Sequence, residues 1–241
     1  MNYLYEIDPY AIQPVYFTKL NKTKTRYTVF PGLTVVSFPA SGDLATMIRN
    51  IVANTDIFQK YVTLLPPESY HMTVSGAIGY PRTKTSVEYL TTLRKQRNKV
   101  KKYFEKEPEI MNGVDHFEVL LGDMFTDSTL GIHLSMNVDT IDKITRVRDA
   151  VESIFGRKPD PDFQFHMTLG YLRSKPKGED ALIFEEELKN INEIINGLVQ
   201  PMQRPQLCTY KDMTQFDPIY SVEEYDRFVR ELEVTVSPYR V

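Results

Sequence analysis

Two short stretches of this chain carry the same pair of residues able to perform acid and base chemistry. His-Met-Thr occurs as His71-Met72-Thr73 and again as His166-Met167-Thr168, and the two copies use two of the four histidines. In a β-strand, residues i and i+2 point to the same face, so each copy would present an imidazole and a hydroxyl side by side. Two such strands suggest a reaction that needs both an acid and a base.

The paired imidazoles suit attack at phosphorus. Because the unperturbed pKa of histidine is about 6.5, one copy can accept a proton while the other donates one. One histidine would deprotonate an attacking ribose 2′-hydroxyl or water, and the other would protonate the departing oxygen. The hydroxyls of Thr73 and Thr168 would donate hydrogen bonds to the non-bridging oxygens, where charge develops. This chemistry requires no metal and no other cofactor.

A zinc site and a purely structural role are both less favoured for these histidines. Zinc sites take roughly three or four protein ligands, and neither copy adjoins a Cys, Asp or Glu. A single His-x-Thr would most simply be a hydrogen-bonded structural residue on a half-buried strand. Since the tripeptide is repeated, a shared reaction site is the better interpretation.

The elements that must position these residues also repeat. A strand at 33–38 and a helix over 44–52, with Ser41-Gly42-Asp43 as its start, precede the first copy. A strand at 131–138 and a helix over 141–154, with Asp139-Thr140 as its cap and Gly156 at its end, precede the second copy. Nearly the same number of residues separates Ser37 from Ser135 as separates His71 from His166. This duplication predicts two lobes related by a pseudo-twofold axis, which would bring the histidines together across a cleft.

The remaining pattern completes the predicted organisation. One long helix is expected over 86–105, closed by Pro108, and further helices over 183–198 and 220–232. Further strands are expected at 61–65, 117–125 and 207–213. Residues 1–29 have no clear period and are interpreted as an extended N-terminal arm. Residues 30–241 are expected to form a single bilobal domain.

Composition excludes several classes of protein. The 241 residues carry a net charge of −3, which argues against a broad surface for long nucleic acids. No stretch approaches the length of a membrane span, and the first residues lack the features of a signal peptide. The single cysteine, Cys208, excludes an internal disulfide. We therefore expect a cytoplasmic monomer that neither enters a membrane nor binds an extended nucleic acid.

The two motifs resemble those of the two-histidine (2H) phosphoesterases. His71-Met72-Thr73-Val74 and His166-Met167-Thr168-Leu169 both match the pattern His-x-Thr followed by an apolar residue. That superfamily includes RNA 2′,3′-cyclic phosphodiesterases, LigT-like RNA ligases and 2′,5′-oligoadenylate phosphodiesterases. Phe30-Pro31-Gly32 and Leu65-Pro66-Pro67-Glu68-Ser69-Tyr70 resemble a branch known only as a domain of unknown function.

The resemblance implies a fold and a set of roles. The fold would be bilobal α/β, or α+β, with two mainly antiparallel sheets lining a central cleft and helices outside. His71 and His166 would be the acid and base, in an order that the sequence leaves open, and Thr73 and Thr168 would bind the phosphate. Two further residues are candidate substrate contacts. His133 lies on the polar side of its predicted strand, and Arg82 lies in a loop after the first motif.

The resulting hypothesis is a metal-independent phosphodiesterase. Its substrate would be a small nucleotide or short RNA with a 2′,3′-cyclic or 2′,5′-linked phosphate. An RNA ligase-like or cyclic-oligonucleotide-degrading activity at the same site remains an alternative. A binding module that holds a nucleotide or RNA end without turnover is the alternative from another class.

Overall fold

In a computed structural model of the chain, the structure describes residues 19–20, 24–78, 86–158 and 160–236. The strands within these residues are β1 Gly32–Ser37, β2 Val62–Leu64, β3 Met72–Ile78, β4 His116–Thr126, β5 Thr129–Ser135, β6 His166–Leu172, β7 Val199–Gln203, β8 Gln206–Asp212 and β9 Gln215–Pro218. The helices are α1 Asp43–Ala53, α2 Asp56–Tyr61, α3 Ser86–Lys95, α4 Arg97–Ile110, α5 Val138–Phe155, α6 Glu179–Ile195 and α7 Val222–Val236. A short 3-10 helix, Pro67–Ser69, stands immediately before β3.

The strands form one sheet made of two similar halves. The strand order is β7-β4-β5-β6-β3-β1-β8-β9, every pairing is antiparallel, and β2 pairs with β6 beside this path. The halves meet where β3 pairs with β6, through the single register pair Met72 and Met167. The predicted α+β fold with antiparallel strands and a repeated unit is therefore confirmed, and the two predicted sheets are two halves of one continuous sheet joined at the motif strands.

The sheet curls so that its β7 end returns to the segment after β1. The amide of Gln203 donates to the carbonyl of Phe38 at 2.8 Å. The amide of Ala40 donates to the carbonyl of Pro201, also at 2.8 Å. Among the helices, α5 packs against β3 and α4, α6 against β4, and α7 against α3, α4 and β8. No helix in the described part of the chain is both long and apolar enough to cross a bilayer.

The motif strands alternate as their sequence predicts. The side chains of Met72 and Met167 are 0% and 2% exposed and belong to the hydrophobic core, as do Val74 and Leu169. The histidine and threonine on either side of each methionine are half-buried. The apolar positions therefore anchor each strand and leave the reactive side chains on the opposite face.

Two boundaries predicted in the region of α3 and α4 are wrong. The helix expected over 86–105 is broken at Gln96, whose amide donates to the carbonyl of Leu93 in a tighter turn, so α3 and α4 are separate. Pro108 does not close α4, which continues to Ile110 because the amide of Met111 still donates to the carbonyl of Glu107 at 2.9 Å.

Of the two predicted ends of α5, the first is wrong and the second is confirmed. The expected cap of α5 at Asp139-Thr140 is instead Asn137, whose side chain accepts from the Thr140 amide. The predicted end of α5 is confirmed, since Gly156 takes the left-handed conformation with φ 72° that glycine favours at this position.

Candidate active site

The four motif residues surround the single pair that joins the two halves of the sheet. Since Met72 is the antiparallel partner of Met167, the same register sets His71 opposite Thr168 and Thr73 opposite His166. Cross-strand diagonals of this kind are about 7–8 Å long in a regular ladder. His71 and His166 are therefore diagonal neighbours across this pair.

The imidazole of His71 is held by a rigid turn. Its Nδ1 lies 2.7 Å from the carbonyl oxygen of Ser69, two residues earlier. Ser69 is fully buried, and both its amide and its hydroxyl donate to the carbonyl of Pro66. The ring also packs against Phe216, with centroids 4.1 Å apart, and against Phe38 at 6.4 Å.

His166 is held in the same way in the other half. Its Nδ1 lies 2.9 Å from the carbonyl oxygen of Gln164, again two residues earlier. Its ring contacts Phe125 edge-on at 5.5 Å and Phe163 at 6.4 Å. The two halves of the molecule thus orient their histidines by one repeated device.

This shared hydrogen bond fixes which ring nitrogen can react. A carbonyl oxygen only accepts hydrogen bonds, so Nδ1 of each ring must carry its proton. The second nitrogen, Nε2, is then the atom that gains or loses a proton. Both histidines are therefore arranged to work through Nε2.

The pKa of His71 is lowered from its ordinary 6.5 to about 4. Burial of the ring is the largest cause, and the hydrogen bond to Ser69 opposes it. Positive charge on His166 lowers the pKa of His71 further, and Lys19 acts in the same direction. His71 is consequently neutral near pH 7.

His133 lies directly beside His166. The two residues are register partners between β5 and β6, so their side chains share a face of the sheet. The His133 ring stacks on Phe125 with centroids 4.4 Å apart and planes 29° apart. Arg82, the other candidate contact predicted from the sequence, lies outside the described residues.

A buried ion pair that the sequence reasoning missed supports the loop before His166. Arg148 and Glu152 of α5 pair at 3.3 Å, with side chains 7% and 4% exposed. The Arg148 guanidinium donates to the carbonyl of Asp160 at 2.9 Å and lies 4.1 Å from the centroid of Phe163, a ring that contacts His166. Opposite charges four residues apart on the apolar face of a helix are the signal that could have identified this pair.

Phe125 was also missed, and its position depends on a glycine. A Cβ at Gly131, its cross-strand partner, would lie 2.5 Å from the Phe125 ring, so only glycine leaves room for the ring above β5. In the described residues, no group of three or more His, Cys, Asp or Glu side chains is placed to hold a metal ion.

Comparison with known proteins links the first half of the chain to a family. The model of the family described as "2H-phosphodiest: Domain of unknown function (DUF1868)" matches residues 21–120, which include the first motif. This match confirms the resemblance to the two-histidine phosphoesterases, in a branch whose function is described as unknown. A phosphodiesterase-type activity is the chemistry that this family description supports. A search of curated proteins by sequence gave no match.

Solved structures support the fold. The crystal structure of the conserved protein of unknown function ATU0111 from Agrobacterium tumefaciens is 18% identical, with a TM-score of 0.59, and the alignment covers 85% of this chain and 90% of that one. Usb1 from Kluyveromyces marxianus is 10% identical, with a TM-score of 0.37 and coverage of 79% and 99%. The first similarity shows a shared fold, and the second is too low to bear on fold or function.

Proposed function

We propose that this protein is a metal-independent phosphodiesterase that uses His71 and His166 as general base and general acid. Its substrate would be a nucleotide or short oligonucleotide with a 2′,3′-cyclic or 2′,5′-linked phosphate. The observation that supports the proposal is the pairing of Met72 with Met167, which makes His71 and His166 diagonal neighbours whose Nδ1 atoms contact equivalent carbonyl oxygens. Thr73 and Thr168, which flank the same pair of methionines, would donate hydrogen bonds to the phosphate.

The difference in environment between the two histidines supports a division of roles. Because burial keeps His71 neutral, its Nε2 is suited to accept a proton, and His166 is left as the acid. In the proposed step, water attacks phosphorus while the bond to one ribose oxygen breaks. His71 takes the proton of the water, and His166 gives its Nε2 proton to the departing oxygen. His133, beside His166, would contact the substrate.

The test uses variants of both histidines against 2′,3′-cyclic mononucleotides and 2′,5′-oligoadenylates. His71→Ala and His166→Ala should each lower kcat by about 10²- to 10⁴-fold, the usual contribution of a general acid or base. His116→Ala is the matched control, because His116 is exposed at the start of β4 and belongs to neither motif. Circular dichroism should show that all three variants are folded.

The same experiment separates the alternatives. Activity should persist in EDTA, and a double histidine variant that still cleaved these substrates would refute the proposal. Products identified by mass spectrometry distinguish hydrolysis from ligation. Stoichiometric binding of intact nucleotide without any product would instead indicate a binding module.

A further inference from the structure

A pocket with a volume of about 540 Å³ lies beside His71, between the start of α1, the turn before β3 and the ends of β7 to β9. This volume falls within the range of roughly 300–1,000 Å³ that is typical of small-molecule sites. Its lining includes Phe38, Gly42, Glu68, Gln203, Gln206 and Tyr220. None of these residues is among the four predicted to carry the reaction.

Two elements connect the pocket to His71. Phe38 lines the pocket and also lies with its ring 6.4 Å from that of His71. Pro218 lines it as well, and Phe216, two residues earlier, packs on the His71 ring at 4.1 Å. The pocket and the reactive imidazole are therefore separated by little more than one aromatic ring.

The register of the strands sets the pocket and His166 on one face of the sheet. His133 is the partner of His166, and Ser135, two residues further along β5, shares its face. Leu120 of β4 pairs with both Ser135 and Val199. Gln203, four residues beyond Val199 on β7, lies on that face too. A ligand bound between the histidines can thus extend into the pocket without crossing the sheet.

The polar groups of the pocket form a chain of amides and a hydroxyl. Tyr220 donates to Oε1 of Gln206 at 3.4 Å, and Nε2 of Gln206 donates to Oε1 of Gln203 at 3.4 Å. Nε2 of Gln203 donates to the carbonyl of Pro39 at 3.2 Å. The side-chain amide nitrogens of Gln203 and Gln206 each have a second hydrogen that these hydrogen bonds do not use. Both glutamines can therefore donate to a ligand as well as accept from it.

The charge of the lining argues against a second phosphate. Among the described residues, those around the pocket include no lysine or arginine, and their one charged side chain is the carboxylate of Glu68. A neutral planar ring with donors and acceptors on its edge fits the aromatic and proline walls and the two amides, as nucleobases fit glutamine side chains elsewhere.

We propose that this pocket binds the base of the nucleotide whose phosphate reacts between His71 and His166. The inference rests on the proposed function and extends it, because it makes the enzyme selective for nucleotides over simple phosphate diesters. Phe38 and Tyr220 supply aromatic surface for the ring, and Gln203 and Gln206 contact its edge.

A large side chain at Gly42 should block the pocket without disturbing the fold. It lines the cavity, its φ is −82°, and a Cβ built there meets nothing within 4 Å. Gly42→Phe should fill the pocket without strain, and Ser41→Phe, at the exposed neighbouring position outside the lining, is its matched control. Gln206→Leu removes one amide, and Gln59→Leu makes the same change on the exposed surface of α2.

Affinity is measured by isothermal titration with the four ribonucleoside 3′-monophosphates and with ribose 3-phosphate, which lacks a base. The wild type should bind at least one nucleotide about tenfold more tightly than ribose 3-phosphate. Gly42→Phe and Gln206→Leu should lose this advantage, while both controls keep it. Equal affinity of the wild type for all five ligands, no binding of any of them, or undiminished nucleotide affinity in both pocket variants would overturn the inference.

This binding test needs no turnover. If the cyclic substrates are not cleaved but the base-dependent affinity is lost in the pocket variants, the proposed reaction fails and the pocket assignment stands. If cleavage occurs equally well with and without a base, the pocket assignment fails and the reaction stands.

Discussion

Two phenylalanine rings and a tight turn determine how His71 can act. Phe38 and Phe216 pack against the imidazole and reduce its hydration, and the carbonyl of Ser69 holds Nδ1. Loss of hydration disfavours the charged ring, so the pKa of His71 falls to about 4. A general base must be unprotonated, and His71 therefore stays competent well below the ordinary pKa of histidine.

The lowered pKa of His71 should be visible in the low-pH part, or acidic limb, of the pH profile of kcat/KM. Since a base with a lowered pKa is protonated only at low pH, we expect kcat/KM to be retained as pH falls through 6.5 and lost as it falls through about 4. Phe216→Ala should raise the pKa of His71 and move the limb to higher pH, because burial is the largest cause of the shift. NMR titration of the imidazole checks the assignment, and a His71 pKa at or above 6.5 would contradict it.

The residues that the sequence could reveal are those whose role follows from local pattern. Period-two alternation predicted which side chains of the motif strands are buried and which face the cleft, as with Met72 and His71. The i, i+4 spacing of Arg148 and Glu152 can indicate an ion pair, but not that it supports the loop before His166. Phe125 could not be found from local pattern, because it contacts His133 and His166 on other strands. Those contacts depend on how distant elements pack.

At the scale of elements, the strands that escaped prediction lie at the two edges of the sheet. β7 and β9 are five and four residues long, and each contains a proline, Pro201 and Pro218. Proline has no amide hydrogen to give to a ladder, so it is uncommon inside sheets and is found mainly at their edges. The composition of these segments therefore resembles that of loops, while the central strands were recognisable from their apolar runs.

Gly170 lets β2 lie against the second motif strand. A Cβ at this position would be 2.7 Å from the carbonyl oxygen of Thr63 and 2.8 Å from a methyl group of Val62, both on β2. Backbone cannot move aside as a flexible side chain can, so Gly170→Ala should lower the free energy of unfolding by about 1–3 kcal/mol, as overpacking does. Urea unfolding monitored by circular dichroism measures this change.

The matched substitution for this prediction is Gly42→Ala. A Cβ there enters open space, so its effect should stay within about 0.5 kcal/mol, as at other surface positions. Equal stability of the two alanine variants would show that β2 can shift away from β6 at little cost.

At the scale of the whole molecule, the proposed reaction site lies where the two halves meet. Each half supplies one imidazole, one hydroxyl and one carbonyl that orients the ring, and a single register pair joins β3 to β6. The duplication visible in the sequence was sufficient to predict this meeting. The halves join as one curled sheet, in which β7 contacts the segment after β1. This arrangement depends on long-range pairings that no local sequence pattern encodes.

Because the two histidines serve one proton transfer cycle in the proposed mechanism, their contributions should not multiply. When one is removed, the other has no productive partner, so His71→Ala, His166→Ala and the double variant should all lower kcat to similar levels, within about tenfold of one another. Independent contributions would instead make the loss in the double variant the product of the two single losses. Single-turnover kinetics on a 2′,3′-cyclic mononucleotide distinguishes these outcomes, with His116→Ala combined with each single variant as the control for an unrelated second substitution. A multiplicative loss would mean that the halves act separately, and the shared site at the junction of β3 and β6 would then have to be abandoned.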